Sequence, residues 1–171
     1  MSQKFGSKYD DADSSSSSSA GGKQTEDRAL AAIIDVTAIR VDEGSGAGSG
    51  ASTDLDAALR LEIDYSSDRE LRGARWSVAF VVDIVSKRYI VELGSHDGVN
   101  VRVGANSFVF SLDRLDVTRV KSKHLLNNAG LLVATLVTRE SEDVLGVNLV
   151  VQTARSKDGD RLVRHILNPL R

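Results

Sequence analysis

The chain has 171 residues, enough for one domain with a real core or a smaller domain with tails. Its 22 basic and 24 acidic residues leave a net charge of −2, so overall charge gives no reason to expect a nucleic-acid or membrane partner. Cysteine is absent, which excludes disulfides, thiolate metal sites and cysteine nucleophiles and fits a reducing compartment.

Residues 1–28 read as a disordered arm. The run SSSSSS at Ser14–Ser19, followed by AGGK, has almost nothing to bury and cannot offset the entropy of ordering. A phosphorylated or partner-docking arm is the sharper alternative, since each phosphate would add charge beside Asp10, Asp11 and Asp13. The opening MSQKFGSKYDD lacks the apolar segment of a secretory signal, and no apolar run approaches the ~20 residues that span a bilayer. Both point to an intracellular protein. A domain is expected over residues 29–171, interrupted by a Gly/Ser-rich loop at residues 43–53, EGSGAGSGAST.

From Ala29 onward the pattern is strand after strand. Ala29–Val41 is mostly apolar and β-branched at its centre. In LRLEIDY, Leu59, Leu61, Ile63 and Tyr65 alternate with polar residues, the period of a half-buried strand. Trp76, Val78, Phe80, Val82 and Ile84 mark one face of the next, and Ser86-Lys87 reads as a tight connection to Arg88–Leu93. The run Gly94–Gly98 reads as a turn, because Asp97-Gly98 supplies the positive φ that hairpins need. A second turn is expected at Gly104-Ala105-Asn106, before a strand with Phe108, Phe110 and Leu112 facing inward. Residues 114–126 are charged and could hold one short helical turn. Gly130–Thr138 is apolar on both faces, as in a central strand. Val144–Ala154 follows, then a turn at Lys157–Asp160 and a closing strand. Seven to nine short strands with little helix predict an all-β protein, an immunoglobulin-like antiparallel β-sandwich with Trp76 in its core.

Chemistry is sparse. His96, His124 and His165 are far apart and none has the spacing of a metal pair. Gly44, Gly46, Gly48 and Gly50 suggest a phosphate loop, but no Lys-Ser/Thr follows. Carboxylates such as Asp158/Asp160 and Glu140/Glu142/Asp143 fall in expected turns, where they cap and solvate. Arg114, Arg119, Lys121, Lys123 and His124 form a small basic segment that could meet phosphate or an acidic partner, or simply be solvated. The reading is non-enzymatic, with no cofactor, no metal and no small-molecule substrate.

The segments RWSVAFV, ELGSHDGVNVRVGANSFVFSLD, LGVNLVV and RHILNPL resemble the anti-silencing function histone chaperones over roughly residues 59–170. The likeness rests on Trp76, Glu92–Ser95, Val103, Gly104, Phe108–Phe110, Asp113 and Gly146, and on Arg164, Ile166 and Leu167 near the C-terminus. It implies an elongated sandwich that holds a helix of histone H3 in a sheet groove and adds a tail of histone H4 as an extra strand. The arginine, valine, acid and tyrosine of that family's groove fall here on Val144, Gly130, Ile90 and Asn148, and an acidic pair at its other docking edge falls near Arg72-Gly73. Two readings stay open: a divergent H3–H4 chaperone acting in the nucleus, and an interaction protein that kept the scaffold and changed partner, for instance within a ciliary axoneme. In either case the expected partner-binding edge is Val144–Thr153, with Val144, Gly146, Asn148, Leu149 and Val151 as candidate residues. A proline at Leu149 is expected to weaken binding there by removing a backbone donor.

Overall fold

The computed structural model describes residues 32–42, 53–84, 87–118, 120, 129–140 and 142–170, together one compact unit. Nine strands occur among them and no helix: β1 (Ile34–Asp42), β2 (Thr53–Asp54), β3 (Leu59–Ser67), β4 (Leu71–Ile84), β5 (Lys87–Val101), β6 (Gly104–Leu112), β7 (Ala129–Val137), β8 (Asp143–Arg155) and β9 (Leu162–Leu167). They build two antiparallel sheets, one of three strands in the order β1-β3-β6 and one of six in the order β2-β9-β8-β7-β4-β5. The all-β sandwich read from the sequence is therefore the fold. The N-terminal arm (1–28) and nearly all of the Gly/Ser-rich loop lie outside the described residues; Thr53, placed in that loop by sequence, opens β2.

Alternation decides which side chains meet. Leu59, Leu61, Ile63 and Tyr65 of β3 are all buried, as their period of two requires, and Phe108 of β6 lies beside Ile63 in the same sheet. Opposite them stand Trp76, Val78, Phe80 and Val82 of β4, Leu132, Ala134 and Leu136 of β7, and Val147, Leu149 and Val151 of β8. The sheets are locked by rings: Trp76 stacks on Phe108 at 4.4 Å between centroids, and Tyr65 meets the same indole edge-on at 5.7 Å. Burial pushes the Tyr65 phenol above its ordinary range, the Trp76 indole opposing this in part.

Two local expectations are corrected. Gly94–Gly98 is no turn: β5 runs through it without a break for 15 residues. Gly98 does take positive φ (71°), but the extra residue is absorbed as a bulge, Trp76 pairing His96 and Ala74 pairing Val99. A bulge and a hairpin turn ask the same of the backbone, so Asp-Gly alone does not tell them apart. The turn expected at Gly104–Asn106 comes two residues earlier, at Arg102-Val103, and Gly104–Asn106 already belong to β6. Asn106 closes that turn from within the strand, accepting from the Arg102 N–H at 2.9 Å and donating to the Arg102 and Gly104 carbonyls at 2.8 Å each. Among the described residues the first strand runs from Ile34 to Asp42; residues 29–31 of the expected strand lie outside the described residues. In contrast, β7 is central between β4 and β8, as its two apolar faces predict, and residues 156–161 form the expected turn.

One core residue went unremarked as such in the sequence. Arg164 of β9 is 1% exposed, and its guanidinium donates to the carbonyls of Leu55 (2.7 Å), Ala57 (3.0 Å) and Ala58 (2.7 Å). The irregular connection from β2 to β3 has backbone acceptors with no ladder to satisfy them, and the planar fork of arginine serves three at once.

Candidate functional site

The outer faces of the two sheets differ in chemistry. On the three-stranded sheet the outward positions carry Arg60, Glu62 and Asp64 of β3, with Arg40 and Asp42 beside them on β1. Arg40 binds Glu62 at 2.8 Å and Asp64 at 2.6 Å. Its guanidinium, donating hydrogen bonds to each, holds both carboxyls below their usual range, helped at Asp64 by Ser107, and is itself raised by them. Charges interleaved in this way solvate a face.

The six-stranded sheet is the reverse. Register places Ile90 of β5 beside Val81 of β4, Val81 beside Leu131 of β7, Leu131 beside Val150 of β8, and Val150 beside Leu167 of β9. These five side chains form one unbroken aliphatic row across the outer face. Ile90 is 62% exposed, Leu167 39% and Leu131 36%, while Val81 and Val150 are half-buried between their neighbours. Ala79 and Val133 extend the row on one side, ending at Glu92 and Asn148; on the other side stand Arg88, Ala129 and Gln152. Scattered single apolar residues are ordinary on a surface, but a contiguous patch rimmed by polar groups marks an interaction site.

The candidate edge read from the sequence falls on β8. Val144, Gly146, Asn148, Leu149 and Val151 all lie on this strand, which β7 pairs from Asp143 to Gln152 and β9 pairs from Val150 to Arg155. Residues 143–149, which include Val144, Gly146, Asn148 and Leu149, therefore have no ladder partner on the side away from β7 among the described residues. Leu149 and Val151 are buried in the core. A proline at Leu149 would therefore strike the fold itself and report on folding. Gly146 and Asn148 are exposed on the outer face, and Val144 is half-buried. Of the positions aligned to the family's groove, Ile90 and Asn148 lie on this face, while Gly130 is buried against Phe80. The signal that could have found the row was present: β4 and β7 are apolar on both faces, and no helical segment among the described residues covers the second one.

The remaining candidates stay dispersed. His96 is exposed on β5 and His165 half-buried on β9, and the described residues contain no cluster of three or more metal-ligating side chains. Arg114 of the basic segment is paired with Asp56 at 2.8 Å, beside an open groove walled by Leu115–Thr118. Arg119, Lys121, Lys123, His124 and the glycines of the 43–53 loop lie outside the described residues. Compared with known proteins, the chain matches no family model and no curated protein.

Proposed function

We propose that this protein is a non-enzymatic protein-binding module whose recognition surface is the outer face of the six-stranded sheet. The observation that carries the reading is the aliphatic row Ile90–Val81–Leu131–Val150–Leu167, left uncovered by any described element of a fold whose other outer face is charged. A partner that lays an apolar stripe across five strands would gain the burial, at about 25 cal/mol per Å² of apolar surface, that water now denies the face.

The resemblance makes the histones H3 and H4 the first partner to test, with a nuclear role in chromatin assembly. Among the described residues the acids that border the row in register are Glu92 and Asp83, the latter beside Arg88, and this small acidic content favours the second reading: a scaffold docked by an apolar partner within a larger assembly. Capture of purified H3–H4 at physiological salt separates the two. The chaperone reading expects saturable binding that Leu131→Glu weakens at least about tenfold, the scale of one buried unpaired charge. No binding to H3–H4 leaves the assembly reading, and histone binding indifferent to Leu131→Glu removes the face as the site.

A further inference from the structure

On two of its strands, β5 and β8, the polar flanks of the row are self-complementary, while β4 sets Asp83 beside Arg88 on one flank and Ala79 on the other. On β5, Arg88 and Glu92 stand two residues either side of Ile90 on the same face. On β8, Gln152 and Asn148 stand two residues either side of Val150. On β7, Ala129 and Val133 flank Leu131 in the same way. We propose that, in the absence of another ligand, this face is covered by the same face of a second copy of the chain, the two-fold axis running along the aliphatic row. The inference rests on the reading of that face as the docking surface and names its occupant in the free protein.

The axis follows from the chemistry. A two-fold axis along the row keeps each strand over its own counterpart and reverses its direction. Ile90 then meets Ile90, Leu131 meets Leu131 and Val150 meets Val150. Arg88 falls over Glu92 of the second copy, and Gln152 over Asn148, each pair occurring twice as isologous symmetry demands. Turning the axis by a right angle, parallel to the strands, would lay β5 over β9 and bring Arg88 to His165, with Glu92 beyond the end of β9. The first arrangement matches opposite charge with opposite charge on β5 and amide with amide on β8, and sets Asp83 of β4 over Ala79. Five strands at about 4.8 Å spacing give a footprint roughly 24 Å wide. That is at the small end for a specific interface, so the dimer is expected to be weak and to yield its face to a tighter partner.

The test is sedimentation velocity of the full chain across a wide concentration range. Wild type is expected to show a monomer–dimer equilibrium. Arg88→Glu and Glu92→Arg each place like charges together twice and weaken dimerisation at least about tenfold, whereas the swapped double variant Arg88→Glu/Glu92→Arg restores it. All three changes are at exposed positions, so circular dichroism should show intact folds. A monomer at every concentration overturns the proposal, as does a dimer that survives either single charge reversal or one that the double swap fails to restore. A free monomer whose partner binding is still abolished by Leu131→Glu would sink the dimer and leave the docking face standing. A dimer broken by Leu131→Glu, with partner binding unchanged, would support the dimer and remove the face as the partner's site.

Discussion

Replacing Arg164 by methionine tests whether its guanidinium is what holds the β2–β3 connection. The change keeps most of the apolar stem and its packing but removes the fork. Three hydrogen bonds are lost, to Leu55, Ala57 and Ala58. The last two residues lie nearer the surface, so water can replace arginine at their carbonyls; the Leu55 bond is enclosed, and its acceptor is left unsatisfied. An orphaned buried carbonyl costs about 1–3 kcal/mol, and a charge-assisted bond is worth about 1.5–3 kcal/mol. Against this stands the relief of no longer burying a cation, several kcal/mol in gross terms. The offset leaves a net loss of about 1–2 kcal/mol, a fall in Tm of roughly 3–8 °C for a domain of this size. Differential scanning calorimetry measures it. Lysine at the same position carries the charge but cannot serve three carbonyls, so Arg164→Lys should recover less than half of the loss. A methionine variant within about 2 °C of wild type, or a lysine variant equal to it, would refute the argument from the fork.

Gly130→Ala would set a Cβ 2.7 Å from Cε2 of Phe80 and 3.0 Å from the Val81 carbonyl oxygen, and is expected to cost about 1–3 kcal/mol in urea unfolding. Combining it with Phe80→Leu should cost less than the sum of the two; strict additivity would count against the clash. Gly98→Ala meets nothing within 4 Å, so its cost is backbone strain alone, about 1–2 kcal/mol, and Gly98→Asn should lose less because asparagine tolerates that region. Arg40→Met removes the cation that lowers Glu62 and Asp64. Carboxyls with depressed folded values stabilise above their unfolded range, and that stability is lost as pH falls through the folded values. The Tm gap between wild type and Arg40→Met should therefore be open at neutral pH and close in acid; a gap that widens on acidification would contradict the pairing.

The candidate site was legible only in fragments. Leu131 belongs to the run Gly130–Thr138, whose apolar character on both faces was plain in the sequence, and Val81 and Val150 lie in other strand runs, but a run cannot show whether its second face is covered. The row exists because register sets those three beside Ile90 and Leu167, and register is a relation between strands far apart in the chain. Residues 143–149 of β8 keep one side without a ladder partner among the described residues while Val151 is paired on both, a division that nothing in VLGVNLVVQTA announces.

Periodicity alone settled that the chain is built of strands, that Leu61, Ile63, Trp76 and Phe108 face inward, and that β7 is central, because burial on one or both faces imprints itself on neighbouring residues. Tertiary structure decided the rest. It turned the Gly94–Gly98 turn into a bulge, since the same positive φ serves both. It buried Arg164, since three carbonyls more than a hundred residues away supply the acceptors that let a cation leave water. It also made one outer face charged and the other aliphatic, a difference that depends on which strands lie side by side.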